Sequence, residues 1–588
     1  RLAGIERSAR LAEDRWEGLL RRMEMGEENQ KLLAGEVQGH LSHLDWLLAC
    51  GRRAAEICES ASEPVEIIVW QLEHPWAQHS PTSSAPPEHP QNELRVVTEP
   101  RSHEATVVAI ANVTGRSLNV RVSLDEWLDS DAAKNGPTSD MITLRHVVHV
   151  PTAREQMSPD VLPKLDEAGV LTIPAGESVL LWMDWAANES LPGTYGSNLH
   201  IRALTVEGHV STTPLVWEIL PYALPKQKPL WFHVWAYNNP LLGDAEAVWQ
   251  DLIDHHMNVF DLPLPSVTYD HNGDIGTLDF SGADSVIAKA PEGSFYLWHG
   301  GETIVAAVDE APGVGSDAWR KGYEQFANAW VAHLAEKGVG YDRHANYIID
   351  EPGIDGGFKV DYFERVARIW KSIDPQLLIY SNPGGGATRG HIKRIVEFAD
   401  ILGPGWGEYR GIPDVYHPGD ETVPTATEPN EFIDTMVNDS QMMWTYRCSD
   451  GGKDFLRMSY YWEPIWQGPS FNLNGLGFWS YAGRQTDFWQ GPTPNNSDWE
   501  LVYSGSSGPV PSRRWQGLRI GIEDDARLRM VLIAADRARE GGDAKRADSL
   551  TDRRTHLIDK VLKSGIDERV ISDVRTELRA ILVEEMGG

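Results

Sequence analysis

Asn346-Tyr347-Ile348-Ile349-Asp350-Glu351-Pro352-Gly353 is the stretch on which the reading of this chain turns. A short apolar run ends abruptly in two adjacent carboxylates, followed by a proline and a glycine. Ile348 and Ile349 predict a buried strand, and Pro352-Gly353 its stop. Two acids at the mouth of a buried strand are costly to hold together, because like charges a few ångströms apart raise one pKa. A fold accepts that cost mainly where the acids do chemistry. Pro352 disfavours a helical backbone at the residue before it, so Glu351 is expected to be extended, with both acids projecting into one cavity. The bland alternative is a strand end whose acids are simply solvated.

Outward from this motif, the chain beyond residue 229 alternates strand and helix. Eight runs predict strands: Trp231–Tyr237, Asn258–Leu262, Ser294–His299, Asn346–Ile349, Leu377–Ser381, Ile401–Gly403, Met442–Tyr446 and Gly477–Tyr481. Helical periodicity lies between several of them, at Ala245–His255, Asp317–Lys337, Lys359–Ile373 and Gly390–Ala399. Such units over residues 229–512 have the dimensions of a (β/α)8 TIM barrel, with the Asp-Glu pair ending strand 4. Active sites of that fold sit at the C-terminal ends of the strands, which favours chemistry over solvation for Asp350 and Glu351.

The rest of the chain predicts a multidomain protein. Residues 1–63 carry apolar positions at helical spacing (Leu11, Trp16, Leu19, Leu20, Met23), with a break into two helices at Gly35 and a stop at Ser62-Glu63-Pro64. Residues 64–222 read as an antiparallel β-sandwich, with strands at Val65–Leu72, Thr106–Val113, Leu118–Leu124, Met141–Val150, Val179–Trp185, Ser197–Val206 and Pro214–Ile219. Pro75–Asn92 is a loop within it, and Pro221–Pro229 a stiff linker. Residues 513–588 are helical again, and their charges read most simply as a solvated surface with internal ion pairs.

Composition narrows the function. A net charge of −33 argues against nucleic acid and against anionic membranes, since both select basic patches. No apolar run approaches the ~20 residues that span a bilayer. The chain opens Arg1-Leu2-Ala3, so a targeting segment is expected to be trimmed or never present. Cys50, Cys58 and Cys448 suit neither a disulfide framework nor a zinc site, and the first two read as helix packing residues. No His/Asp/Glu cluster shows ligand spacing, so neither metal nor cofactor is expected. The 23 tryptophans are unusual: indoles near loops suit the apolar faces of sugars, and they could equally fill the core of a large barrel.

An isolated Asp-Glu pair constrains the chemistry further. Most glycoside hydrolases set two carboxyl groups on opposite sides of the scissile bond, but strand 7 here, Met442-Met443-Trp444-Thr445-Tyr446, offers no acid. Adjacent residues have Cα atoms only ~3.8 Å apart and flank an anomeric carbon poorly. If the sugar carries a 2-acetamido group, its carbonyl oxygen can attack instead and close to an oxazolinium ring. Asp350 would then orient that group and stabilise its charge. Glu351 would protonate the leaving oxygen and later deprotonate water.

With these residues in place, the chain resembles glycoside hydrolase family 123, the β-N-acetylgalactosaminidase family, over about residues 64–535. The resemblance rests on Leu191-Pro192-Gly193-Thr194-Tyr195-Gly196, on Ile348 to Pro352, on Gly477-Phe478-Trp479 and on Leu518-Arg519-Ile520-Gly521-Ile522-Glu523-Asp524. It implies a retaining, substrate-assisted mechanism with Asp350 and Glu351 in the roles just given. The N-terminal helices and the insertion Thr422–Asp439 depart from the family pattern. Family 20 hexosaminidases also use an adjacent Asp-Glu pair, but with a His-Gly-Gly lead-in absent here.

Candidate substrate-binding residues lie at other strand ends. Tyr446 is placed to donate to the acetamido oxygen, Trp479 to floor the sugar ring, and Trp444 to form a second wall. His299, Asn382 and His233 are candidates for hydroxyls. Tyr380 to Gly386 lacks the Lys-Ser/Thr of a phosphate loop and reads as a flexible rim. The expected partner is a glycan or glycoconjugate. Two rival readings are a retaining hydrolase of neutral sugars using Glu351 with Glu408, Asp450 or Glu463, and a non-catalytic carbohydrate-binding protein. A secreted or periplasmic setting is favoured and a cytoplasmic one open; the oligomeric state is not legible.

Overall fold

The computed structural model describes residues 10, 16–17, 30–60, 65–77, 79–87, 93–127, 136–152, 157–206, 208–236, 239–308, 312–384, 387–409, 441–448, 453, 458–483, 489 and 500–587. Leu11, Leu19, Leu20, Met23, Ser62-Glu63-Pro64, the insertion Thr422–Asp439 and Asp450 lie outside the described residues.

The first ten strands are β1 (Ile67–Gln71), β2 (Leu94–Thr98), β3 (His103–Asn112), β4 (Leu118–Leu124), β5 (Ile142–Pro151), β6 (Met157–Val161), β7 (Val170–Ile173), β8 (Ser178–Ala186), β9 (Gly193–Ala203) and β10 (Val210–Ile219). They form two five-stranded sheets, β1-β3-β8-β5-β6 and β2-β10-β9-β4-β7. Alternation along each strand supplies the core between them: Leu181, Met183 and Trp185 from one sheet meet Leu199, Ile201 and Trp217 from the other. All seven expected strands are present. β2, β6 and β7, which sequence reading missed, are short and carry polar or proline residues. The sandwich is not wholly antiparallel, because β2 pairs with β10 in parallel.

The barrel comprises β11 (Trp231–Ala236), β12 (Val259–Asp261), β14 (Phe295–Trp298), β16 (His344–Tyr347), β17 (Leu378–Ser381), β18 (Ile401–Leu402), β19 (Met442–Arg447) and β20 (Leu473–Ala482). A side ladder, β13 (Val267–Tyr269) with β15 (Val305–Ala307), flanks it. The eight strands form one parallel sheet in the order β11-β20-β19-β18-β17-β16-β14-β12. Asn258 draws its two ends together: its N–H donates to the Phe232 carbonyl (3.1 Å) and its Oδ1 accepts from the Phe232 N–H (2.7 Å). Strand 4 ends at Tyr347, so Ile348 and Ile349 follow the strand instead of forming it.

Side-chain parity decides what faces the barrel axis. Val259, Phe295, Leu297, Ala345, Tyr347, Tyr380, Ile401 and Trp444 make one buried inner cluster. Gly475 admits the largest of these, since a Cβ there would lie 2.4 Å from the Trp444 ring. The floor is therefore packed, and any site must lie above it, at the strands' C-terminal ends.

The helix Gln30–Ser60 runs unbroken through Gly35, contrary to the expected hinge. Each of its interior glycines, Gly35, Gly39 and Gly51, costs about 1 kcal/mol, which a long helix anchored by buried Trp46, Cys50 and Ala54 tolerates. Burial pushes the Cys50 thiol up to about 12, in keeping with a packing role.

The C-terminal part differs most from expectation. The helix Arg513–Glu540 is buried on nearly every side, and its charges pair inside the protein. Arg514 meets Asp160 (2.8 Å) and Arg519 meets Asp184 (2.6 Å), both on the sandwich, while Arg527 meets Glu99 (2.5 Å). Glu523 accepts from His103 of the sandwich (2.7 Å) and from His256 of the barrel (2.9 Å). These three also form a cluster of metal-ligand type, which sequence spacing could not reveal. The Lys228 ammonium acts on His256, and Arg527 lies 3.7 Å from Glu523, a cationic setting that suits hydrogen-bonded bracing better than a bound cation. Helices Ala544–Lys563 and Glu568–Met586 complete this layer.

Candidate functional site

Asp350 and Glu351 lie just past β16, Asp350 exposed and Glu351 half-buried. The two are held by different partners. Asp350 Oδ1 accepts from the Tyr347 hydroxyl (2.5 Å) and from the Asn382 amide (2.8 Å), while its carbonyl accepts from Lys359 (2.9 Å). Glu351 Oε1 accepts from the Tyr446 hydroxyl (2.5 Å). Asn382 joins the two acids, because its Oδ1 accepts from the Glu351 N–H (3.2 Å). Both amide groups of Asn382 thus serve the acid pair, so it positions carboxylates where a hydroxyl-binding role was expected.

Glu351 is not extended. Its φ is +44°, in the left-handed region, which costs a non-glycine residue about 1–3 kcal/mol. The bias from Pro352 is overridden by the loop after β17. The Gly353 N–H donates to the Pro383 carbonyl (2.7 Å), and a Cβ on Gly384 would sit 2.6 Å from that of Glu351. In its described part, this glycine-containing loop is a clamp on Glu351 and not a free rim.

Three tyrosines surround the pair. Burial, then the neighbouring Tyr380 and the Asp350 charge, drive the Tyr347 hydroxyl well above its usual range, so it stays a donor. Tyr380 is raised by burial and then by Asp350, Asp261 and Glu351, which places three carboxylates around one bowl. Tyr446 is buried, its ring edge-on to Trp235 (5.7 Å), and its hydroxyl is turned to Glu351.

The other candidates divide. His299 is exposed, its ring 4.7 Å from that of Tyr347. Trp479 is half-buried in the C-terminal half of β20 and shares the inward parity of Gly475 and Gly477. Trp444 is not a wall: it is buried in the barrel floor, packed on Phe295 (5.3 Å) and Tyr380 (5.5 Å). His233 is buried beside Trp235, with Nε2 3.9 Å from Asp261. Glu463 accepts from Trp406 (3.1 Å) and from Arg447, whose strand parity points away from the axis, so it is no second acid for the bowl. The side chain of Glu408 lies outside the described residues.

Asp261 and Trp235 were missed. Both occupy inward parity near a strand's C-terminal end, a signal present in Asn258–Leu262 and Trp231–Tyr237 once the axis-facing residues are known.

No family model matches the chain, and no curated protein does. Solved structures do. In fold, the chain resembles a family 123 glycoside hydrolase. That structure, from Clostridium perfringens, aligns over 88% of this chain and all of its own with a TM-score of 0.58 at 14% identity. A family 39 glycoside hydrolase from Bacteroides cellulosilyticus WH2 aligns over 66% of this chain and 78% of its own, with a TM-score of 0.35 at 13% identity.

Proposed function

We propose that this chain is a retaining glycoside hydrolase that cleaves β-linked N-acetylhexosamine, foremost N-acetylgalactosamine, with the substrate's acetamide as nucleophile. The observation that carries this reading is that Asp350 and Glu351 are adjacent yet separately held. Asp350 has one oxygen saturated by Tyr347 and Asn382, leaving Oδ2 to receive an acetamide N–H. A charged acceptor so fixed orients the acetamide and offsets positive charge as the oxazolinium ring closes. Glu351, fixed by Tyr446 and Asn382, gives its proton to the glycosidic oxygen and recovers one from water in the second step.

No side chain needs to attack. Glu463 faces away from the bowl, and each half-reaction inverts the anomeric carbon, so the β configuration returns. The family 123 neighbour concerns glycolipid glycan hydrolysis, which suits a glycoconjugate substrate here.

A panel of aryl β-glycosides of GalNAc, GlcNAc, galactose and glucose tests the proposal. The 2-acetamido sugars should turn over with retention, the 2-hydroxy sugars should be essentially inert, and a thiazoline mimic of the intermediate should inhibit competitively. Equal turnover of galactoside and N-acetylgalactosaminide, with a covalent glycosyl adduct on a protein carboxylate, would sink it.

A further inference from the structure

The acid pair does not exhaust the chemistry of the bowl. Asp261 ends β12 with the same parity as Val259, which faces the barrel axis, whereas Phe260 between them packs outward on Trp249 (5.1 Å). Its side chain keeps 48% exposure, so it is open to a ligand.

His233 adds an independent observation. Its side chain is only 5% exposed, and its Nε2 has no hydrogen-bond partner among the described residues. Asp261, at 3.9 Å, is too far to serve as one. A buried ring nitrogen left this way is rare and costly. A hydroxyl about 2.8 Å from both atoms satisfies the two at once, donating to the carboxylate and accepting from the imidazole. Sugar hydroxyls are amphoteric in just this sense; a carboxylate, sulfate or phosphate ester is not.

The position joins this corner to the acids. His299, whose imidazole favours the ionised form of Asp261, packs its ring on Tyr347 (4.7 Å), which donates to Asp350. On the other side, His233 packs on Trp235 (4.5 Å), and Trp235 on Tyr446, the partner of Glu351. Of the nearby cations among the described residues, Lys359 bonds the Asp350 carbonyl from the rim and Arg447 is turned to Glu463.

We infer that Asp261 and His233 together grip a hydroxyl of the sugar whose glycosidic bond is cut, and that this grip restricts the enzyme to neutral sugars with that hydroxyl unsubstituted. The inference rests on the hydrolase reading above. It assigns a specificity determinant, and it predicts that a sulfate or phosphate ester on the gripped hydroxyl is rejected twice: it removes the proton donated to Asp261 and sets a further anion beside the carboxylates of Asp261 and Asp350.

The test compares wild type, Asp261→Asn and His233→Gln on an aryl 2-acetamido β-glycoside and its 3-, 4- and 6-deoxy and 3-, 4- and 6-sulfated derivatives. Asp261→Asn should raise KM on the order of 10²-fold with kcat changed far less, and His233→Gln should do the same more weakly. One deoxy substrate should lose a similar factor against wild type but lose nothing further against Asp261→Asn. The ester at that position should be refused. An unchanged KM in Asp261→Asn, equal deoxy penalties in both proteins, or sulfated and parent substrates used alike would overturn the inference. So would a collapse of kcat with KM preserved, which would place Asp261 in bond breaking.

Unchanged melting temperatures check the fold of both variants. If wild type cleaves no glycoside, the hydrolase reading fails by itself. Calorimetric titration with free N-acetylgalactosamine and N-acetylglucosamine then still decides the grip. Binding by wild type that Asp261→Asn loses supports it, and no binding by wild type overturns it.

Discussion

The Tyr446 hydroxyl donates to Glu351 across the bowl at 2.5 Å, linking strand 7 to the residues just after strand 4. Tyr446→Phe removes that donor while keeping the ring on Trp235. We expect kcat to fall about 10–100-fold with a melting temperature within a few degrees of wild type. An unchanged kcat would show that Glu351 is oriented by its backbone alone.

Glu351→Gln and Asp350→Asn should fail differently. The first should cost 10² or more in kcat, roughly, for poor leaving groups and much less for nitrophenyl glycosides, which need little protonation. The second should remain crippled on both, because its amide cannot offset an oxazolinium charge. Identical leaving-group dependence in the two variants would contradict the division of roles.

Gly384 and Glu351 form a second linked pair. Gly384 has φ +84°, and a methyl there would press on the Glu351 side chain at 2.6 Å. Gly384→Ala should therefore lower both activity and stability, the latter by about 1–3 kcal/mol. Glu351→Gly relieves the left-handed backbone and should abolish activity with stability equal or higher, read from urea midpoints. A clear loss of stability in Glu351→Gly would refute strain at this position.

Acid should unfold the protein through its buried histidines. Burial lowers His79 and His256 to about 3 and His344 to about 4. Each binds a proton more readily unfolded than folded, so its contribution is present above pH 6.5 and is lost as pH falls towards 4. Asp251, raised to about 6 by burial, acts in the opposite sense, as does Asp525, but burial also lowers His74, His146, His149 and His255, which act with the first three. Urea midpoints should drop steadily from pH 7 to pH 5. His344→Gln should flatten that slope, and an unaltered slope would remove His344 from the account.

Much of the architecture was readable because each barrel strand is a compact apolar run between turn residues, and each sandwich strand alternates. The acid pair was legible for the same reason, as charge where a strand should have stopped quietly. What stayed hidden depends on neighbours distant in sequence. Whether Trp444 lines a sugar or plugs a barrel depends on Gly475 beside it. Asp261 looks like any polar strand end until His233 and His299 stand around it. The helix from Arg513 misled most, since charges on every face resemble a wet surface unless Asp160, Asp184 and Glu99 are known to await them.

That helix bears on how the protein can be taken apart. Arg527, fully buried, holds Glu99 of the sandwich side and Asp524 of its own helix, while Glu523 reaches a histidine on each flank. Removing one member of such a buried pair strands the other, at about 3–5 kcal/mol. A barrel expressed without residues 513–588 would expose the apolar side of this wedge, and a sandwich expressed alone would bear stranded acids. The barrel half cannot be grafted, shuffled or minimised as a free-standing module. Evolution and engineers alike must inherit the three parts as one unit of exchange.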